Sequence, residues 1–232
     1  FLEEEVKKER KVIIEEFNRV GDNPSTKLEI LTTQFNFQKH RLSNLILGTR
    51  ENVMGFTRKD IMRFYKKYYI PSNCTISIVG NLKNSIVTDL NKIFSIKDHK
   101  IPVKHEIIKY ENPKSENFLY KKNLGKQNTI SLSFPNFSIN DVRKYYLDIL
   151  IDILGGNMTS RLWVALREEN QLVYLFNVFY ESYEDGGFFS INFTTSDNNV
   201  KKTIHTVMEI LEKMKKIKIS EDELKLTKKK AI

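Results

Sequence analysis

Residues 129–156, TISLSFPNFSINDVRKYYLDILIDILGG, and 173–195, VYLFNVFYESYEDGGFFSINFTT, decide the fold class. The first stretch reads as a strand over Thr129–Phe134 closed by Pro135, then a helix to Leu154 stopped by Gly155-Gly156. Ser138, with Asp141 three residues on, gives that helix its start signal. The second stretch reads as two strands, Val173–Ser182 and Gly187–Thr195, folded into a hairpin around Glu184-Asp185-Gly186. Between them Ser160–Glu169 reads as a short helix. Beyond them lie a long helix, Val200–Ile217, and a capping signal, Ser220-x-x-Glu223, for one more. Strands mixed with long helices argue for an α+β layered fold and against a barrel.

The first half carries the same kinds of element. Phe1–Val20 has helical periodicity and meets a breaker, Gly21-Asp22-Asn23-Pro24. Leu28–Phe37 reads as a second, less amphipathic helix, and His40–Val53 as irregular. Thr57 with Asp60 starts a helix that runs through Tyr69 and ends at Pro71. Cys74–Val79 reads as a strand stopped by Gly80-Asn81, and Asn84–Phe94 as a helix. Residues 95–115 are polar, hold Pro102 and Pro113, and carry a strand signal at Glu106–Tyr110. The chain enters a helix directly from Phe1 and stops in another, so both ends read as cuts through a longer protein.

Composition narrows the function classes. In 232 residues, 40% hydrophobic content with 11% aromatics supports a real core and excludes a mainly disordered chain. No run of about 18 apolar residues exists, so no membrane-spanning helix is expected. The single cysteine, Cys74, excludes a disulfide scaffold and a multi-cysteine zinc site, and fits a reducing compartment. The net charge of +9 comes mostly from scattered lysines, whereas nucleic-acid binders cluster their cations and favour arginine. A lysine-rich solvated surface explains the charge without nucleic acid.

One helix holds an anomaly. On a helical wheel centred on Glu9, Leu2, Val6, Val12, Ile13, Phe17 and Val20 form an apolar stripe, and Glu16 lies about 20° from Glu9. Two carboxylates thus share the middle of an apolar face, two turns apart. A buried lone carboxylate costs several kcal/mol, so each needs a cation, a proton or water. A salt bridge, a wet groove and a metal or catalytic role all satisfy that requirement.

Here a resemblance enters. Glu9-Arg10-Lys11-Val12-Ile13-Ile14-Glu15-Glu16 followed by Asp22-Asn23-Pro24 resembles the helix after the active-site helix in the pitrilysin/insulinase family of zinc peptidases. These are the inverzincins, marked by H-x-x-E-H. Ile46-Leu47-Gly48-Thr49-x-Glu51-Asn52-Val53, Phe64-Tyr65-x3-Tyr69-x-Pro71-x-Asn73 and Val79-Gly80-Asn81 resemble the rest of that family's first domain. Leu154-Gly155-Gly156-Asn157-Met158-Thr159-Ser160-Arg161-Leu162 and Arg167-Glu168-x3-Leu172-Val173-Tyr174 resemble its second. Arg41 and Ser43 depart from the Pro and Gly that relatives often carry after His40.

The resemblance implies two similar domains, each a mostly antiparallel sheet with helices packed on it, facing across a closed chamber. Its boundaries here are residues 1–98 for the C-terminal part of the first, zinc-binding domain, 99–115 for the connection, and 116–232 for the N-terminal part of the second. It implies that Glu16 is a zinc ligand and Glu9 a carboxylate supporting the site. An open zinc site of two His and one carboxylate leaves a position for water. It also implies that Arg167 and Tyr174 reach the scissile carbonyl and stabilise its oxyanion. H-x-x-E-H itself occurs nowhere in the chain, and His40, His99, His105 and His205 read as surface or structural residues.

The function implied is a zinc metalloendopeptidase of the short bacterial or mitochondrial-processing-peptidase-like branch. It would cut extended peptides, with this span inactive by itself. The partners implied are peptide substrates and a second copy or a paired homologous subunit. The expected setting is cytoplasmic, with a mitochondrial or other organelle as the alternative. A noncatalytic peptidase-like scaffold subunit is the rival, since it explains the missing motif equally well.

Overall fold

In a computed structural model, residues 1–83, 85–94 and 127–231 are described. In chain order the helices of the first half are α1 (Glu3–Asp22), α2 (Pro24–Phe37), α3 (Arg50–Gly55), α4 (Arg58–Tyr68) and α5 (Ile86–Ile93). The second half runs β1 (Gln127–Asn136), α6 (Lys144–Gly155), α7 (Arg161–Trp163), β2 (Leu175–Ser182), β3 (Gly187–Ser196), α8 (Val200–Lys216) and α9 (Glu221–Ala231). Packing divides the chain into two compact units. The first is Phe1–Arg19 with Leu47–Glu106, and the second is Val20–Ile46 with Ile107–Ile232.

The second unit is an antiparallel sheet with helices on it, as the sequence indicates. Its strand order is β1-β3-β2, so the last strand in sequence is central. The hairpin closes with Ser182 opposite Gly187, and β1 pairs along β3 from Gln127–Ser196 to Asn136–Gly187. Pro135 does not end β1, which continues to Asn136. As an edge strand, β1 can hold a proline whose missing N–H takes nothing from a central ladder. The helix after it starts later than Ser138 and Asp141 suggest. Asp141 caps Arg143 N at 2.9 Å, and α6 begins at Lys144.

One face of this sheet builds the core. Ile191 and Phe193 of β3 pack with Leu154, Leu162, Leu166, Leu172, Val173 and Val207 from α6–α8 and the segment between α7 and β2. Gly155 permits the closest approach, since a Cβ there would strike Val178 and the Phe176 ring of β2. The other face is polar. Register puts Thr129, Ser131 and Ser133 of β1 beside Thr194, Asn192 and Ser190 of β3. α2 lies against β1 on the polar face, and Asn36 Nδ2 donates to Ser133 Oγ at 2.9 Å.

The residues after α2 are fastened to the hairpin tip. His40 and Arg41 both face Asp185, with Arg41 Nη2 2.8 Å and His40 Nε2 3.6 Å from Oδ2. Asp185 is buried, and the Phe37 ring meets Tyr183 and Phe188 edge-on beside it. Arg41, the position that departs from the family pattern, therefore neutralises a buried acid. His40 is structural, as expected; His205 is exposed, and His99 and His105 lie outside the described residues.

The first unit contains no strand among its described residues. Cys74–Val79, expected as a strand, is exposed and joins no ladder among the described residues, and this corrects the sequence reading. Alternating β-branched residues make a strand only when a neighbour pairs their N–H and C=O groups. The helices of this unit agree better. The Thr57–Asp60 capping box opens α4, with both reciprocal bonds formed. In the second unit Asn23, read as part of a breaker, caps α2 through Ser25 N and Thr26 N. The stretch read as irregular holds the short α3. The expected connection at 99–115, with its strand signal at 106–110, lies outside the described residues.

Candidate functional site

The carboxylates singled out on α1 belong to the first unit. Neither is buried: Glu9 is exposed, and Glu16, partly covered, faces Arg19 at 3.6 Å. The apolar stripe around them is itself largely in water, with Leu2 and Val12 exposed and Val6 alone buried in α1. The burial cost that made the pair anomalous is therefore absent. An exposed i,i+3 pair such as Glu16–Arg19 holds neither partner firmly, since such pairs are worth roughly 0–1 kcal/mol. Glu16 is thus a carboxylate with spare acceptor capacity. Among the described residues no three His, Cys, Asp or Glu side chains gather to hold a metal ion. This chain's described residues alone do not fit a zinc ion, because a structural or catalytic site needs at least three protein ligands.

Arg167 and Tyr174 are brought together in the second unit. Arg167 sits on a π-helical turn, Val164–Glu169, that continues α7 and closes with Leu172 N bonded to Leu166 O at 2.8 Å. Such turns re-aim side chains and recur at functional sites. The Arg167 guanidinium lies over the Trp163 ring at 5.1 Å, and Nη1 donates to the Tyr174 carbonyl at 2.5 Å. Tyr174 is tied in turn to the sheet, its N–H donating to Thr194 O at 3.0 Å. A guanidinium has five N–H donors, so most of Arg167's remain for another acceptor. Tyr174 as a residue is 66% exposed. The pair sets the Arg167 guanidinium against the Tyr174 backbone, with both residues exposed.

Next to Tyr174 the polar sheet face opens into a cleft of about 230 Å³. Its floor includes Thr129, Asn177, Asn192 and Thr194, and Ser25, Leu28 and Glu29 of α2 stand along one side. Asn192 is 93% buried (7% exposed), yet its Oδ1 has no hydrogen-bond partner, and nearby Ser131 Oγ and Ser190 Oγ have none either. Each such atom costs about 1–3 kcal/mol when left unmade. The sequence reading missed these residues. Their signal was present as polar residues at period two, Ser131-x-Ser133 and Ser190-x-Asn192-x-Thr194, inside strands whose other face is apolar.

Further interactions hold this unit in shape. Arg161 makes a two-pronged bond to Glu223 of α9, 2.9 and 2.7 Å. The Arg161 hydrogen bond is the main cause that holds the Glu223 carboxyl below its ordinary value. The Tyr180 hydroxyl donates to Asp148 of α6, and that bond, with some burial, pushes the phenol up to about 12.

Comparison with known proteins agrees with this architecture. The family described as "Peptidase M16 inactive domain" matches residues 55–231, a span that includes Arg167 and Tyr174 and leaves out α1. The chain is similar to "Uncharacterized zinc protease YmxG" of Bacillus subtilis, 31% identical over 98% of this chain and 55% of that protein. It is also similar to an "Uncharacterized zinc protease" of Rickettsia felis, 29% identical over 97% of this chain and 54% of the relative. The chain thus spans about half the length of the curated relatives it matches. Among solved structures, a peptidase M16 inactive domain from Pseudomonas fluorescens superposes with TM-score 0.87 at 20% identity, covering 100% of this chain and 56% of that one. A chain of complex III2 from Candida albicans superposes with TM-score 0.80 at 21% identity over 97% of this chain and 55% of that one.

Proposed function

This chain belongs to the M16 peptidases, and from that premise we propose that it is part of a zinc metalloendopeptidase that hydrolyses extended peptides in a closed chamber. The observation that carries the proposal is the Arg167–Tyr174 pair, held by a 2.5 Å bond on a π-helical turn that the family match includes. The Arg167 guanidinium suits a carbonyl oxygen that gains negative charge, the Tyr174 phenol would add a second donor, and fixed donors of this kind lower the barrier for such a step. Glu16 would supply one ligand to a zinc ion whose other ligands lie outside this chain, with Glu9 as supporting carboxylate. Extended peptides would bind by adding to a sheet edge, as β2 and β1 are the outer strands among the described residues. Peptide substrates and a second copy or homologous partner subunit are the proposed partners, and a cytoplasmic setting the proposed location. No helix among the described residues is long and apolar enough to cross a membrane.

The noncatalytic scaffold reading is favoured by one sequence fact, that H-x-x-E-H is absent from these 232 residues. One experiment separates the two. The full-length protein and this 232-residue span are purified, metal is measured by atomic absorption, and cleavage of a quenched fluorescent peptide is followed with and without chelator. The expected result is stoichiometric zinc and chelator-sensitive turnover in the full-length protein and neither in the span. A full-length protein without zinc or turnover establishes the scaffold. Turnover by the span alone contradicts the ligand count.

A further inference from the structure

We propose that Trp163 is a positioning residue for Arg167, holding its guanidinium in place so that the free N–H donors stand ready for the carbonyl oxygen of a peptide. The inference rests on the reading of Arg167 given above and assigns a role to the one tryptophan of the chain. Two contacts fix the guanidinium. Its Cζ lies over the Trp163 ring at 5.1 Å, and Nη1 donates to the Tyr174 carbonyl at 2.5 Å. The indole is held in turn, because its Nε1 donates to Glu168 Oε1 at 3.2 Å. Leu162, Ala165 and Leu166 are buried, so the backbone that carries Trp163 and Arg167 is set in the core.

The local backbone explains why these side chains meet. In an α-helix, residues five apart lie about 140° apart around the axis and do not share a face. Trp163 stands where α7 gives way to the π-helical turn Val164–Glu169. The bonds of such a turn span five residues, which is the separation of Trp163 and Glu168. An exposed arginine otherwise moves among many rotamers, and a donor already in place stabilises developing charge better than one that must first be ordered. Tryptophan is the aromatic ring that attracts a cation most strongly, and a planar guanidinium also stacks on it. A ring contact takes up none of the N–H donors, so it orders Arg167 without occupying what a substrate would use.

The test is a double-mutant cycle on the full-length protein, with zinc content and peptide hydrolysis measured for each variant. Trp163→Leu should keep zinc and lower kcat and kcat/KM together by about two- to fivefold, the size of an exposed cation–π contact. The loss should vanish in an Arg167→Ala background. Beside Tyr174→Phe, which keeps the carbonyl that Arg167 binds, it should persist in full. Trp163→Phe, which retains a ring, should recover most of the rate. Because Trp163 is partly buried, exposed Glu168→Ala serves as a second variant and should show a smaller loss of the same kind. A readout independent of hydrolysis is the Nε–H proton resonance of Arg167 in arginine-labelled protein, identified by its absence from Arg167→Lys. The Trp163 ring current should move it upfield in the parent, and Trp163→Leu should return it. An equal loss from Trp163→Leu with and without Arg167, or an Arg167 resonance that Trp163→Leu leaves unmoved, overturns the inference. Turnover that falls in Arg167→Ala but not in Trp163→Leu removes the positioning role and leaves the peptidase reading standing. A parent without turnover, whose Arg167 resonance still depends on Trp163, removes the peptidase reading and leaves Trp163 as the residue that holds Arg167.

Discussion

The two units of this chain are packed to very different degrees. In the second, Leu154, Leu162, Leu166, Ile191, Phe193 and Val207 are essentially sealed from water. In the first, the buried apolar residues among those described are Val6, Val53 and Ile70, while Phe64, Tyr69, Ile76, Ile78, Val79 and Val87 stand exposed. Side-chain caps open helices in both, at Thr49 and Thr57 in the first and at Asn23 and Ser220 in the second. What differs is whether each apolar face has found a partner. Local signals form elements, but a core needs all its layers.

The largest effect that sharpens this contrast is expected from truncating one apolar residue in each unit, followed by urea unfolding. Phe193→Ala in the second unit should cost about 3–5 kcal/mol, whereas Ile78→Ala in the first should stay within about 0.5 kcal/mol. Comparable losses would mean the first unit is as well packed as the second. Asp185→Asn comes next. It leaves Arg41 without its buried carboxylate, and a broken buried pair of this kind costs about 3 kcal/mol.

Smaller effects follow from surface and termini. Replacing Ile76 and Val79 by Lys should leave unfolding nearly unchanged yet reduce self-association in light scattering, because an unpaired extended apolar segment invites edge pairing. The Arg161–Glu223 bond gives a pH signature confined to the second unit. Its folded carboxyl lies below the ordinary 4.5, so its stabilisation is whole above that value and is lost as pH falls through the folded one. Arg161→Met should flatten this acid limb of the second unit's unfolding. Thr57→Ala removes the α4 capping box and should cost about 1 kcal/mol locally.

The sequence made the second unit legible because most of its elements have a local marker, the Pro135 stop and the Ser138–Asp141 start being the exceptions. The hairpin tip at Glu184-Asp185-Gly186, the Ser220 cap on α9 and the glycine stop after Leu154 all stand where they were read. Cys74–Val79 was misread because its composition reports strand preference and says nothing of whether a partner exists. At the site, Arg167 and Tyr174 were named by resemblance, but the π turn that carries Arg167 has no periodic signature. The polar row through Asn192 was hidden for a different reason. Apolar alternation marks one face of β3, and the polar residues between match no motif.

The same division of labour sets the central claim. If Glu16 in the first unit holds metal and Arg167 in the second holds substrate, the two should fail in different ways. Glu9→Gln should weaken zinc about 10–100-fold, as loss of a supporting carboxylate does. Arg167→Ala and Tyr174→Phe should keep zinc and lower kcat and kcat/KM together, the mark of a transition-state contact. The most direct measurement is the zinc content of the full-length protein carrying Glu16→Gln, dialysed beside the parent and Arg167→Ala. The account predicts stoichiometric zinc in the parent and in Arg167→Ala and a near-complete loss in Glu16→Gln, because a neutral amide replaces an anionic ligand. Full zinc in Glu16→Gln would contradict it.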